Sequence, residues 1–321
     1  MSQVLKDVRE AVLKALKEKR VQITVGLVQA FYSEVELSDV FKEPEQYFKP
    51  DTGWTLGQLF DIRQGVTWGG SGCETIFVLD EDTVRKLGLE PELVRKTIGG
   101  EDIEPWKINW KGYYLLFPYI ERNGKWIRAF LNPDKGDMDV LDFTIKVARQ
   151  EDPQEDLSSR LRWRIAEGLV KYPRAAEYLV RHYDVLSKRI GSPLPRNRKW
   201  YEFHRPREPI LAKAPKIVCR RLMREPVFAL DEEGYLPRDS VWCLIPRPAR
   251  LKEVKTKLRK VLKRDVTDRE ALNYILHHLN SGAFKQVLNK RISRKRGGFI
   301  TITKDILESF TIPEPNKSTY G

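Results

Sequence analysis

Residues 62–80, IRQGVTWGGSGCETIFVLD, contain four glycines within eight positions around Trp68 and continue into a run of β-branched and aromatic residues. Segments 59–66 and 75–80 have the composition of strands, so the stretch predicts a β–loop–β connection. Glycine in such a loop lets the backbone approach another surface closely. Trp68, near the tip, is predicted either to stack or wedge against a ligand or to fold back onto the core.

The glycine loop does not match the known loops that hold nucleotide phosphates. A Walker loop needs Gly-Lys-Ser/Thr running into a helix, and that triplet is missing from this stretch. A dinucleotide fingerprint begins at Gly70-Ser71-Gly72, but Thr75 stands where the third glycine is required. The loop is therefore predicted to approach a surface other than a nucleotide phosphate.

Helical and strand patterns are mixed along the chain without a strict βαβ order or an internal repeat. Helices are predicted over residues 1–20, 140–171 with a break near Pro153, 171–189, 249–263 and 268–280; strands over 21–33, 113–119, 216–222, 225–231 and 299–303. Asn123-Gly124 predicts a turn. The fold class is α+β, a mixed short-strand sheet with packed helices plus an N-terminal amphipathic helix.

Positive charge is concentrated in the C-terminal part of the chain. The formal net charge is +13, and the windows 194–224, 252–269 and 285–304 carry +8, +5 and +7, which leaves −7 for the rest. A polyanion-binding surface requires such a concentration, whereas a solvated basic face does not explain why acids are so few in these windows.

The three cysteines, Cys73, Cys219 and Cys243, are far apart and form no CxxC pair, so we interpret them as reduced core thiols. No apolar run is long enough for a membrane span, and the charged N-terminus is not a signal peptide. We therefore expect a cytoplasmic protein that contacts no membrane.

Familiar catalytic and metal-binding patterns are missing from the sequence. HExxH and GxSxG do not occur, and the four histidines have no metal-ligand spacing. A magnesium-dependent nuclease site would need an Asp and a Glu/Asp-x-Lys triplet on adjacent strands, but Glu253-Val254-Lys255 lies in a helical pattern. We predict no catalytic residue, no metal and no cofactor in this chain.

The order of several motifs resembles the C-terminal target-recognition (specificity) domain of TaqI-like type II adenine-N6 DNA methyltransferases and of fused restriction–modification enzymes. The pieces that carry the resemblance are IRQGVTWGGSGCETIFVLD (62–80), IGGEDIEPW (98–106), YYLLFPY (113–119), YPRAAEYL (172–179), WYEFHRPRE (200–208), APKIVCRRL (214–222), FALDEEGY (228–235), NYILHHLNSGAFKQVLNKRI (273–292) and FTIPEP (310–315). The resemblance implies an α+β specificity domain whose loops enter the grooves of double-stranded DNA.

The chain departs from these enzymes in lacking their catalytic parts. The Asn/Asp/Ser-Pro-Pro-Tyr/Phe motif and the glycine-rich S-adenosylmethionine loop are both missing, and Asn132-Pro133 runs into Asp134. The resemblance therefore implies that S-adenosylmethionine and catalysis belong to a partner domain or subunit. We predict a recognition domain over 55–315, with 120–171 as an inserted helical arm, a docking segment over 1–54 and a tail over 316–321.

Recognition of duplex DNA needs cations on phosphates and a few side chains at base edges. Trp200 and Tyr201 are predicted to anchor the basic segment 194–208 to the core, leaving its cations to face DNA. The residues predicted to contact DNA are Trp68, Ser71, Arg196, Arg198, Lys199, Arg205, Arg207, Arg220, Arg221, Lys290, Arg291, Arg294, Lys295 and Arg296.

Two other functions remain open at this point. A stand-alone magnesium-dependent nuclease with an unrecognised site would cleave DNA by itself. A basic RNA-binding protein would prefer single strands and stack bases on Trp68, Trp200 or Tyr201.

Overall fold

A computed structural model describes residues 53–132, 136, 138–151, 156–189, 194–291 and 298–315 of the 321-residue chain. The helix and strand predicted over residues 1–33 lie outside this described part. Within the described ranges, the chain divides into two compact units, a larger one from 62 to 245 with 298–304 and a smaller one of 53–61, 246–291 and 305–315. These two units are defined by contacts in space. The recognition domain predicted over 55–315 and its boundaries at 54 and 315 stay predictions.

Strands and helices are mixed along the chain, which confirms the α+β class. The strands are β1 Gly53–Thr55, β2 Phe60–Gln64, β3 Val78–Asp80, β4 Val94–Ile98, β5 Ile103–Glu104, β6 Lys107–Ile108, β7 Tyr113–Leu116, β8 Tyr119–Arg122, β9 Lys125–Arg128, β10 Leu131–Asn132, β11 Met138–Asp139, β12 Lys216–Arg220, β13 Leu222–Met223, β14 Phe228–Asp231, β15 Leu236–Pro237, β16 Val241–Pro246, β17 Ile300–Thr301 and β18 Thr311–Pro313. The helices are α1 Leu56–Leu59, α2 Glu74–Phe77, α3 Glu81–Leu87, α4 Val140–Glu151, α5 Leu157–Ala166, α6 Pro173–Arg181, α7 Tyr183–Ser187, α8 Pro248–Leu262, α9 Asp268–Leu279, α10 Gly282–Arg291 and α11 Lys304–Ser309.

The larger unit contains two four-stranded sheets. One has the order β14-β12-β16-β2, and the other has the order β15-β4-β7-β3 with a parallel β15–β4 pair. The predicted turn at Asn123-Gly124 closes the β8–β9 hairpin, and both residues have positive φ, as a two-residue hairpin turn requires. Packing between the sheets and helices centres on aromatic rings: Phe77, Phe117 and Tyr119 all meet Phe203, with ring centroids 4.7–6.1 Å apart.

Three sequence predictions about elements in this unit were wrong. Residues 75–77 belong to the helix α2 rather than to a strand, and only 78–80 form β3. The predicted helix over 171–189 is two helices, α6 and α7, separated at His182. The predicted strand over 299–303 is only the two-residue β17.

The smaller unit is mainly helical. Antiparallel pairing of β1 with β18 brings its first and last described segments together. Thr55 and Thr267 begin α1 and α9 with capping boxes, in which each threonine hydroxyl accepts from a backbone N–H three residues on. The rings of Phe284 and Phe310 pack edge to face at 4.6 Å. In this unit, the capping residues thus begin helices where the sequence offers them, and aromatic side chains pack the unit's interior.

Candidate nucleic-acid interface

The glycine loop 65–72 has a backbone conformation that residues with a side chain would adopt only with strain or steric clash. Gly69, Gly70 and Gly72 have φ of 78°, 80° and 78°, in the left-handed region that favours glycine. At Gly65, an added Cβ would lie 2.1 Å from the carbonyl oxygen of Arg238. Gly65 therefore allows this loop to pass closely along the protein's own backbone, and the other three glycines allow its left-handed conformation.

The glycine loop pairs with the basic segment 194–208. The amide of Thr67 donates to the carbonyl of Arg205 at 3.0 Å, and the amide of Arg205 donates back at 2.9 Å. The amide of His204 donates to the carbonyl of Trp68 at 3.1 Å. Two segments that the sequence singled out separately, more than 130 positions apart, are thus one structural feature.

Arg189, the last residue of the helix predicted over 171–189, joins these segments. Its side chain is 5% exposed and donates to three carbonyls: that of Leu186 at 3.1 Å, that of Trp200 at 2.9 Å, and that of Trp68. The guanidinium also lies 5.6 Å from the ring centroid of Phe77. Burial lowers the pKa of Arg189, and nothing in the local sequence distinguishes it from an exposed arginine.

Trp68 and Ser71 have different positions within the glycine loop. Trp68 is half-buried and packs against the core, whereas Ser71 is exposed. Of the two alternatives for Trp68, the structure therefore has the ring folded back onto the core, and its DNA contact stays a prediction. Cys73, at the end of the loop, is buried, and burial raises the pKa of its thiol.

The basic segment is anchored to the core through its aromatic residues, as predicted. Trp200 is 9% exposed and Tyr201 is fully buried, with its hydroxyl donating to the carboxylate of Asp139. Burial raises the pKa of both Tyr201 and Asp139. Lys199 helps to hold the segment, since its Nζ lies 2.7 Å from Oδ2 of Asp142.

Several arginines surround His204 at the glycine loop. Arg205 is exposed, Arg207 donates from Nε to the carbonyl of Gly65 at 3.2 Å, and Arg198 pairs with Glu202 at 3.1 Å. Partial burial lowers the pKa of His204, and the charges of Arg205, Arg189, Arg198 and Arg207 lower it further. We call His204, Arg205 and Arg207, together with Arg63 nearby, the arginine cluster.

The remaining predicted DNA contacts are placed in three ways. Arg196 and Arg221 are exposed. Arg220 donates from Nε and Nη2 to the carbonyl of Ile103 at 2.8 and 2.6 Å, which holds the 103–108 hairpin. The side chains of Lys290 and Arg291, at the end of α10, and all of Arg294, Lys295 and Arg296 lie outside the described part, so contact by these five stays a prediction.

Much of the positive charge in window 252–269 is paired within the smaller unit. Lys255 pairs with Asp268 at 2.6 Å and Arg259 with Asp265 at 3.1 Å. Arg264 pairs with Glu270 at 2.8 Å. The net charge of window 252–269 therefore predicts a DNA-binding surface less well than the charge of the basic segment 194–208 does.

Among the described residues, no group of three or more His, Cys, Asp or Glu side chains has an arrangement that would hold a metal ion. None of the helices in the described ranges has the length and apolar character needed to cross a membrane.

Comparison with known proteins yields a family, and the solved structures that match include a restriction-modification enzyme. The family model of the TaqI-like C-terminal specificity domain matches residues 95–312. A solved structure of the type IIL restriction-modification enzyme MmeI in complex with DNA is similar over 63% of this chain and 21% of its own, with 10% identity and a TM-score of 0.28. This chain thus spans about a fifth of the length of that enzyme.

Proposed function

Since this chain belongs to the family of TaqI-like C-terminal specificity domains, we propose that it recognises a specific sequence in double-stranded DNA. In this proposal it serves an adenine-N6 DNA methyltransferase or restriction–modification system in the cytoplasm. Catalysis and S-adenosylmethionine belong to a partner domain or subunit, and this chain has no catalytic centre of its own.

The observation that carries the proposal is the arginine cluster beside the glycine loop. Arg205 is exposed on a segment whose backbone is fixed by its pairing with Thr67, and Arg207 is fixed by the carbonyl of Gly65. Arginines on a fixed backbone suit DNA because a guanidinium can bind phosphate oxygens, or both O6 and N7 of guanine, through two hydrogen bonds. Arg196 and Arg221 are exposed cations that we assign to phosphates.

The proposal is tested by selecting duplexes from a randomised library with the purified chain, without metal or S-adenosylmethionine, at two salt concentrations. We expect a short enriched motif. With that duplex, Arg205→Gln should weaken binding by roughly five- to a hundredfold, the range for one lost guanine or phosphate contact. Arg85→Gln, an exposed arginine that pairs with Glu81 on α3, should leave the affinity unchanged.

Other outcomes of this selection would contradict the proposal. Salt-sensitive binding without an enriched motif would leave a basic surface without sequence recognition. Cleavage of the duplex after addition of Mg²⁺ would favour the nuclease. A preference for single strands that depends on the bases would favour an RNA-binding protein.

A further inference from the structure

A pocket of the larger unit lies beside β4, and its lining is cationic. It has a volume of about 260 Å³, and its lining includes Arg95, Lys96, Lys213, Glu121, Trp126 and Gly234. None of these residues belongs to the glycine loop or the arginine cluster. Three cations and one carboxylate give this lining a net positive charge, which favours an anionic ligand.

Arg95 is the residue on which the inference depends most. It is half-buried on β4, and its guanidinium lies 5.9 Å from the ring centroid of Trp126. Arg95 forms no ion pair with any carboxylate in the described ranges. A partly desolvated cation without a counter-ion is unfavourable, and a bound anion would relieve that penalty. A guanidinium is also well shaped for phosphate, because its N–H groups match two oxygens at once.

Lys213 and Lys96 supply further positive charge at the pocket. Nζ of Lys213 lies 3.2 Å from Oε1 of Glu121, and both side chains are more than a third exposed. Nζ of Lys96 lies 4.9 Å from the ring centroid of Trp110, and its ion pair with Oε2 of Glu233 is long, at 3.9 Å. Exposed ion pairs of this kind are weak, so both lysines can turn toward a bound anion.

Contacts within the protein hold the walls of the pocket in place. The ring of Trp126 packs edge to face on Phe117 at 5.0 Å. Gly234 has a φ of 77°, and an added Cβ would lie 2.7 Å from the carbonyl oxygen of Ala212. This close backbone packing holds the segment that carries Lys213, which lines the same pocket as Arg95. A preformed site loses less conformational entropy on binding.

We propose that this pocket binds a phosphate group, with Arg95 as its main ligand and Lys213 as the second. The phosphate comes either from a DNA backbone or from a free phosphate ion, and the chemistry of recognition is the same. The inference does not rest on the proposed function, because the pocket shares no residue with the arginine cluster.

The first arm of the test is calorimetric titration of the full chain with inorganic phosphate at low ionic strength. We expect Arg95→Gln to weaken binding at least about tenfold, as expected for loss of a charge-assisted hydrogen bond. Glu121→Gln should strengthen binding about twofold or more, because it removes a like charge and releases Lys213. A purely structural role of these residues would not produce that gain. Arg85→Gln is the matched control and should bind as the wild type does.

The second arm uses duplex DNA at several salt concentrations. If the phosphate belongs to DNA, Arg95→Gln should lower the slope of log affinity against log salt by about one. If the slope does not change but inorganic phosphate binding is lost, the source is the free ion. Phosphate binding that is insensitive to Arg95→Gln, or no effect of this variant in either arm, would overturn the inference. Failure of the chain to bind duplex DNA would refute the proposed function but leave the phosphate arm decisive.

Discussion

At Gly70, the glycine loop and the buried Arg189 approach each other so closely that no side chain fits between them. An added Cβ at Gly70 would lie 2.8 Å from Cβ of Arg189, whereas one at Gly72 would meet nothing within 4 Å. Both glycines are left-handed, with φ of 80° and 78°. The pair therefore separates two effects at the residue scale, backbone strain and steric contact.

We predict that Gly70→Ala lowers the free energy of unfolding by more than Gly72→Ala does. Left-handed strain alone should destabilise each variant by about 1–2 kcal/mol. At Gly70 the contact with Arg189 should add about 1–3 kcal/mol, as overpacking does. Urea unfolding of the two variants beside the wild type measures both values. Equal losses would mean that Arg189 moves aside without penalty.

At the residue scale, the environment of a side chain was predicted where its neighbours in sequence indicate it, and missed where its partners lie far away along the chain. The anchoring of Trp200 and Tyr201 was predicted, because large aromatic rings in a basic segment have few alternatives to burial. The burial of Cys73, Cys219 and Cys243 was predicted because they are far apart and form no CxxC pair, as is typical of core thiols. Arg189 was missed because its three carbonyl partners come from segments far apart in sequence.

At the scale of elements, the errors lie where tertiary contacts override local preference. The run Thr75–Phe77 has strand composition, but α2 buries Ile76 and Phe77, and the Phe77 ring packs against Phe203 at 4.7 Å. The helix over 171–189 ends at His182 without Gly or Pro to signal the break. By contrast, α8 and α9 were predicted to within a residue or two, because apolar periodicity coincides with Pro248 at the start of α8 and with the Thr267 cap of α9.

Within α9, His278 makes the smaller unit sensitive to acid. It is 8% exposed, and burial lowers its pKa to about 3. Between the unfolded pKa of about 6.5 and this value, the unfolded chain binds one more proton than the folded chain. Stability is therefore fully present above pH 6.5 and falls as the pH decreases, by about 1.4 kcal/mol per pH unit from this residue.

We predict that His278→Phe removes this part of the pH dependence. The new ring occupies the place of one that packs on Tyr274 at 4.8 Å, and it does not titrate in this range. Urea unfolding at pH 8, 6, 5 and 4 should show the wild type losing stability relative to the variant below pH 6.5. At pH 8 the histidine is neutral in both states, so that measurement is the reference for packing. Parallel curves below pH 6.5 would refute the prediction.

For the whole molecule, the pattern of positive charge along the chain was a partial guide. The total of +13 and its C-terminal concentration were visible in the sequence. Which cations are paired within the protein was not, because ion pairing depends on the fold. Lys255 and the exposed Arg259 pair with Asp268 and Asp265, whereas Arg205 is exposed among the other cations of the arginine cluster. The fold class and the family were predicted, because both depend on the order of many motifs along the chain.

This difference gives a prediction about salt dependence. With the enriched duplex, Arg205→Gln should lower the slope of log affinity against log salt by about one, as expected for one lost phosphate contact. The double variant Lys255→Gln/Arg259→Gln should leave the slope unchanged if DNA contacts the arginine cluster and not the smaller unit, which carries these two cations. Fluorescence anisotropy at four salt concentrations measures both. A lower slope in the double variant would place the smaller unit on the DNA.

The hydrogen bond from Arg189 to Trp68 joins positions 121 residues apart, and this separation affects the chain during its synthesis. At a ribosomal rate of roughly 5–20 residues per second, about 6–24 s pass between the emergence of the glycine loop and that of Arg189. Throughout that interval the loop lacks the side chain that holds it against the basic segment. A nascent chain therefore acquires this surface only after Arg189 and the basic segment have been synthesised, and a product truncated before Arg189 never acquires it.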